Sequence, residues 1–139
     1  MGKRTAGEAV LADVSGTPSI QSAVVTTKAF AARDPVATAS FVRAWTEAIA
    51  VIHRDKPFTL KVIERYTRSD DPETVEETYR TMAPHFKRTP LPPVEVIQTY
   101  LRELGQQGER AKGLRVDDLV DARFVRQLEQ SGFIAELYR

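Results

Sequence analysis

Apolar residues recur every three or four positions along most of this chain, and that spacing predicts amphipathic helices. Five successive stripes show it, and each is expected to face the interior. A final apolar group follows the Ser131-Gly132 break. Residues 28–139 are therefore expected to form about five to seven helices. The predicted stripes are Phe41, Trp45, Ile49 and Ile52; Leu60, Ile63 and Tyr66; Val75, Tyr79 and Met82; Ile97, Leu101 and Leu104; and Leu119, Val120, Phe124 and Leu128.

The start of the chain has a different pattern. Residues 9–14 and 22–27 contain β-branched and other apolar residues in short runs, which favours two short strands. Residues 15–19 lie between them and are rich in Ser, Gly, Thr and Pro, which is typical of a turn. The sequence shows no internal repeat and no long linker, so residues 1–139 are interpreted as a single unit: strands and turn over residues 9–27, helices over residues 28–139.

Proline marks the predicted helix starts, because its missing N–H costs nothing in the first turn of a helix. Asp34 and Asp71 each precede such a proline, and their carboxylates are predicted to cap the free amides of the following helix. Asp117 and Asp118 are interpreted in the same way. The four prolines concerned stand in Asp34-Pro35, Lys56-Pro57, Asp71-Pro72 and Pro92-Pro93.

Composition narrows the class of protein. Apolar residues make up 42% and charged residues 28% of the 139 positions, as in globular domains. The formal charge of +1 argues against a nucleic-acid or anionic-membrane partner. No apolar run reaches the roughly 20 residues of a membrane span. Glu8 and Asp13 interrupt the first apolar patch, so no export signal is predicted, and the chain expressed as written is expected in the cytoplasm.

Candidate chemistry is sparse. The chain has no cysteine, which excludes thiolate catalysis and cysteine-ligated metals. His53 and His85 lack a second ligand at metal-binding spacing. His53 is expected to interact with the carbonyls that end its helix, and His85 to lie at a helix exit. We therefore expect no catalytic residue, no metal, no cofactor and no enzymatic activity.

Six segments taken in order resemble the carboxy-terminal part of one family, the periplasmic substrate-binding proteins of nitrate, taurine and aliphatic-sulfonate ABC transporters, which belong with the thiamine-precursor binders. The resemblance covers residues 9–139. The segments are VLADVS, VVTTKAFAARDPVATASFVRAWTEAI, FTLKVIERYTRSDDPETVEETY, TMAPHF, PPVEVIQTYLRELGQQG and VDDLVDARFVRQLEQSGFIAELYR.

This resemblance implies a fold and a set of partners. The chain would be the C-terminal portion of a two-lobed α/β binding-protein fold of type II: mainly α, with two short N-terminal strands and helices that cover one lobe. The full-length parent would be periplasmic, bind a small solute between its lobes and deliver it to a transporter permease, without membrane insertion. Ser15, Thr17 and Gln21, in the turn that crosses between lobes, are the candidate ligand-binding residues; alternatively, they only satisfy the backbone of the turn.

Two other functions stay open. The chain could be a stand-alone helical module that binds a protein partner through an exposed apolar face and binds no small ligand. It could also be an enzyme, since the thiamine-precursor branch includes pyrimidine-synthesising proteins. Those proteins depend on cysteine and histidine motifs, which this sequence lacks. The ordered resemblance favours the first interpretation, a structural C-terminal fragment of a solute-binding protein.

Overall fold

Helices make up most of the computed structural model, which describes residue 20, residues 23–108 and residues 112–139. This confirms the prediction of a mainly α chain. Two helices have only four residues each, which is why the described helices outnumber the five to seven expected. The helices are α1 (Lys28–Arg33), α2 (Pro35–Arg54), α3 (Lys56–Thr67), α4 (Pro72–Met82), a 3₁₀ turn (Ala83–His85), α5 (Val94–Gln107), α6 (Val116–Leu119), α7 (Arg123–Gln130) and α8 (Phe133–Glu136).

The two predicted strands are not confirmed. Residues 9–14 lie outside the described residues. Residues 23–27 are described and form no strand, and no strand occurs elsewhere in the described part of the chain. Thr27 does have extended backbone angles, but it serves as the N-cap of α1, and its Oγ1 accepts a hydrogen bond from the Phe30 amide at 3.1 Å. Extended backbone at Thr27 is not enough for a strand, which also needs a neighbour with which to pair.

Aspartates cap three successive helices. Oδ1 of Asp34 accepts a hydrogen bond from the Ala37 amide at 2.9 Å at the start of α2. Asp71 accepts hydrogen bonds from two amides in the first turn of α4, both at 3.3 Å. These two caps confirm the prediction. Asp55 caps α3 in the same way, through Phe58 N at 3.0 Å, and this third cap was not predicted because Lys56 separates Asp55 from its proline.

The C-terminal segment is more broken than its sequence pattern predicts. The stripe from Leu119 to Leu128 spans two separate helices, α6 and α7, which residues 120–122 divide. Asp117 and Asp118 lie inside α6 instead of before it, and Asp118 accepts a hydrogen bond from the Arg115 amide at 2.9 Å. Gly132 adopts a φ of 78° and separates α7 from α8. Glycine reaches this left-handed conformation without strain.

Helix α2 is the centre of the assembly, since α1, α3 and α7 all pack against it. Further contacts join α3 to α4, α7 to α8, and α5 to α6. The buried positions lie mostly one to a helix, with three on α2. Fully or nearly buried among the described residues are Ala31, Thr46, Ile49, Ala50, Thr59, Val75, Ala83, Val96, Val125 and Ile134.

Several residues of the predicted buried stripes are exposed instead. Phe41 is 55% exposed, Tyr66 79% and Leu119 55%. Leu104 and Met82 are also exposed. The stripe pattern correctly located Ile49 and Val75 in the core, but the helices carry more apolar surface than their neighbours cover. None of the described helices combines the length and the apolar character that crossing a membrane requires.

Candidate functional site

The three residues predicted to bind a ligand, Ser15, Thr17 and Gln21, lie outside the described residues. Their assignment stays a prediction. In the described helical part of the chain, long-range polar contacts concentrate at the C-terminal end of α2.

Three consecutive residues at this end of α2 make hydrogen bonds to distant parts of the chain. The Tyr79 hydroxyl on α4 donates to the Ile52 carbonyl at 3.0 Å. Nε2 of His53 lies 2.6 Å from the Phe86 carbonyl oxygen, and Nη1 of Arg54 donates to the Leu137 carbonyl at 2.5 Å. The last carbonyls of a helix have no partner within it, so the Tyr79 bond satisfies a group that would otherwise need water.

The His53 contact corrects one expectation. This imidazole was predicted to interact with the final carbonyls of its own helix, but it reaches instead to Phe86, 33 residues further along the chain. Because a carbonyl oxygen only accepts, Nε2 must carry the proton in this contact. His53 is thus engaged as a donor between two segments. His85 lies in the 3₁₀ turn that follows α4, as predicted for a helix exit.

Aromatic side chains surround the same end of α2. The rings of Trp45 and Phe86 meet edge to face, with centroids 6.4 Å apart. The Tyr138 ring lies 6.3 Å from the His53 ring, and the Arg88 guanidinium lies 4.5 Å from the centre of the Tyr138 ring. Such contacts contribute about 0.5–1.5 kcal/mol each, so this cluster fixes the C-terminal turns against α2.

Tyr138 brings an unusual polar group to the cluster. Its hydroxyl oxygen is buried, and no hydrogen-bond partner for it exists among the described residues. Burial raises the pKa of Tyr138, and the positive charge of Arg88 partly offsets that rise. A neutral phenol in such surroundings is a poor general base, because deprotonation would place a charge where water cannot reach it. The arrangement is typical of a structural contact.

A surface depression lies between α2 and α7 and opens widely to solvent. Arg123 is its charged member, and the Asp121 carboxylate binds this guanidinium through two contacts of 2.9 and 2.7 Å. The hydrogen bond from Arg123 lowers the pKa of Asp121, so the acid is ionised and neutralises the arginine. The described lining of the depression therefore offers no free cation to an anionic solute. Its lining residues are Pro35, Val36, Ala39, Ser40, Arg123, Phe124 and Gln127.

A second open depression lies at the C-terminal end of α3 and has mixed charge, with three basic and two acidic side chains. No group of three or more histidine, cysteine or acidic residues within the described ranges is placed to hold a metal ion. Both depressions are shallow and open to solvent, so neither encloses a ligand. The lining residues of the second are Lys61, Glu64, Arg65, Arg68, Ser69 and Asp70.

The exposed apolar faces are the strongest candidate for a functional surface. On α3, Phe58, Val62 and Tyr66 follow one another at intervals of four residues, and all three are exposed. On α2, Val36 is 74% exposed and Phe41 55%. Large apolar surface of this kind marks sites where another surface binds. The predicted stripes contain only Phe41 and Tyr66 of these residues, and they assign both to the core.

The contacts that organise the cluster at the end of α2 could not be found from the sequence. Their partners lie 27, 33 and 83 residues apart, and no local motif connects them.

Comparison with protein families, with curated proteins and with solved structures finds no match to this chain.

Proposed function

We propose that this chain is the C-terminal helical part of an ABC-importer substrate-binding protein of the nitrate, taurine and aliphatic-sulfonate type. Its contribution is structural: the helices brace one lobe of a two-lobed protein, and none of them carries out chemistry. The proposal rests first on the ordered resemblance of residues 9–139 to that family. In the parent protein, the partners are a small solute and the transporter permease, and the location is the periplasm.

The apolar character of α2 on two sides is the observation that carries this proposal. One side of the helix contributes Thr46, Ile49 and Ala50 to the core. The other side displays Phe41 and several alanines to solvent. A helix that is apolar on opposite sides belongs in the interior of a larger protein, where both sides are covered. In the proposed parent, the rest of the two-lobed protein would supply that cover.

The long-range hydrogen bonds at the C-terminal end of α2 support the same structural role. His53, Arg54 and Tyr79 make hydrogen bonds that join α2 to α4, to the residue after the 3₁₀ turn and to the residue after α8. Binding proteins of this kind need no catalytic group, since the ligand shifts an equilibrium between open and closed lobes and the membrane partner binds the closed form. Residues that stabilise one lobe are sufficient for that task.

The experiment that tests the proposal is to sequence the genomic DNA immediately upstream of the Met1 codon. We expect a continuation, in phase or interrupted by a frameshift, that encodes an amino-terminal two-lobed portion with an export signal. Upstream DNA without such a coding sequence would contradict the proposal. As a second measurement, the melting temperature of the purified chain should stay unchanged when nitrate, taurine or an alkanesulfonate is added at millimolar concentration. A ligand that binds the folded chain would raise this temperature by mass action, and in the proposed parent the solute binds between two lobes of which this chain forms only a part.

A stand-alone interaction module is the second candidate, and the exposed stripe on α3 favours it. Phe58 and Tyr66 are 54% and 79% exposed, which suits a surface that binds a protein partner. Size-exclusion chromatography with light scattering separates the two candidates. A module should elute unchanged when the amino-terminal polypeptide encoded upstream of Met1 is added, whereas a lobe fragment should bind that polypeptide and elute with it as a larger complex.

A further inference from the structure

The exposed side of α2 has a regular pattern of its own. Ala37, Phe41, Ala44, Ala48 and Val51 follow one another at spacings of four, three, four and three residues, and all five are exposed. At about 3.6 residues per turn, these positions form one continuous stripe on the side opposite the buried residues of α2. We call the five residues the heptad seam. The spacing is that of the a and d positions of a coiled coil.

We propose that the heptad seam is the surface through which two copies of this chain associate, with their α2 helices antiparallel across a two-fold axis near Ala44. Coiled-coil spacing favours another helix as the occupant, because side chains that repeat about every 3.5 residues interlock with a helix of the same repeat. No residue of the seam is charged, so nothing in it opposes burial.

The sizes of the seam residues favour a second copy in the antiparallel orientation. A two-fold axis near Ala44 places Phe41 of one copy opposite Ala48 of the other, and Val51 opposite Ala37. Large side chains then meet small ones on either side of the axis, where Ala44 meets Ala44, and such pairing lets the interface fill space. A parallel pair would instead put Phe41 against Phe41 and alanine against alanine, which leaves gaps beside crowded positions.

The charges beside the seam complement one another in the same orientation. Arg43 and Glu47 lie on one flank of α2, with Nε of the arginine 3.2 Å from Oε1 of the glutamate. The Arg43 guanidinium also lies 4.1 Å from the centre of the Phe133 ring, which fixes its direction. An antiparallel two-fold brings Arg43 of each copy beside Glu47 of the other on a shared flank. A parallel two-fold separates these flanks.

The length of the seam determines how strong the association is. Ala37 and Val51 are fourteen positions apart in the sequence, which corresponds to about 21 Å along the helix. One helix pair of this length buries less than the roughly 1,200 Å² of stable interfaces. The dimer is therefore expected to be weak and reversible, and the fraction of chains in it should rise with protein concentration. This inference goes beyond the proposed function. In the parent, the rest of the protein would cover the heptad seam, so two copies can associate through it only where that cover is absent.

Sedimentation velocity over a wide concentration range tests the association in the full 139-residue chain. We expect a reversible monomer–dimer equilibrium that Phe41→Glu weakens at least about tenfold. Tyr66→Glu is the matched control, since it places the same charge at an apolar residue of α3 that is 79% exposed. We expect this control to change the equilibrium less than about twofold. A chain that stays monomeric throughout, or a control that dissociates the dimer equally, would overturn the proposal.

Disulfide cross-linking tests the orientation, and the absence of cysteine from the chain makes each introduced thiol unique. Ala44→Cys should cross-link readily under mild oxidation, because a disulfide joins Cα atoms within about 7 Å. Ala37→Cys is the matched control on the same seam: its two copies lie about 21 Å apart in the antiparallel pair and should not cross-link. Equal cross-linking of both variants indicates a parallel pair and refutes the proposed arrangement. None of these outcomes depends on the upstream DNA, so the two proposals can fail separately.

Discussion

Replacing Tyr79 with phenylalanine removes one hydroxyl group and almost nothing else. That hydroxyl donates to the Ile52 carbonyl at 3.0 Å and joins α4 to the C-terminal end of α2. Tyr138 provides the matched comparison, because the same replacement there removes a buried hydroxyl that has no partner among the described residues. The two variants differ chiefly in whether the lost group was hydrogen-bonded.

The expected magnitudes follow from that difference. Tyr79→Phe should lower the free energy of unfolding by about 1 kcal/mol, the usual net value of one hydrogen bond, because the Ile52 carbonyl loses its partner. Tyr138→Phe should leave the free energy of unfolding unchanged or raise it by up to about 1 kcal/mol, because it deletes a polar group that was buried without compensation. The two free energies of unfolding then differ by about 1–2 kcal/mol, so the two melting temperatures should differ by about 3–7 °C.

Urea denaturation followed by far-ultraviolet circular dichroism measures both variants against the parent chain. The slope of unfolding free energy against urea should stay constant, so that a shift in midpoint reports stability alone. Equal destabilisation by both replacements would refute the reasoning, since it would mean that the ring environment matters and the hydrogen bond does not. Stabilisation by Tyr79→Phe would refute it as well.

Three further predictions concern single positions. Asp34→Ala should destabilise the fold by about 1 kcal/mol in urea denaturation, because the Ala37 amide loses its cap. Ile49→Ala should cost about 2–4 kcal/mol in thermal unfolding, because the loss of a buried side chain leaves a cavity beside the central helix, and Ile49 is only 3% exposed. Burial raises the pKa of Tyr138, so the unfolded state releases this proton first. Its contribution to stability should therefore be intact below about pH 10 and decrease above it.

Each of these three has a control. For the cap, Asp34→Asn should retain most of the stability, because asparagine caps helices nearly as well. For the core, Val36→Ala should have little effect, since Val36 is 74% exposed. A loss of stability equal to that caused by Ile49→Ala would contradict the difference in burial between these two residues. For the tyrosine, Tyr138→Phe should flatten the loss of stability between about pH 9 and about pH 11, and an unchanged pH profile would contradict the raised pKa.

Local features of the sequence were enough to predict the starts of four of the eight described helices, α2 to α5. The caps at Asp34 and Asp71 depend on residues within three positions of one another, so they can be predicted from sequence alone. The same locality explains one failure. The β-branched residues of 22–27 predicted a strand, but a strand depends on a pairing partner that local sequence does not specify.

Assignment of the core succeeded only in part, for a related reason. Periodicity identifies which residues share a helix face, and it placed Ile49 correctly. It does not say which of two apolar faces another element covers. Helix α2 has two such faces, and residue type alone does not predict that Ile49 is buried while Phe41 is exposed. Only the folded chain distinguishes them, because it buries Ile49 with Thr46 and Ala50 and leaves Phe41 exposed.

Residue types and short spacings are sufficient for the helical class, for the aspartate caps and for the exclusion of thiol chemistry, because each of these depends on neighbours in the chain. Tertiary packing settles two other things: which apolar stripe of α2 is buried, and which partners Ile52, His53 and Arg54 find. Those contacts join segments up to 83 residues apart, which come together only when the whole chain folds.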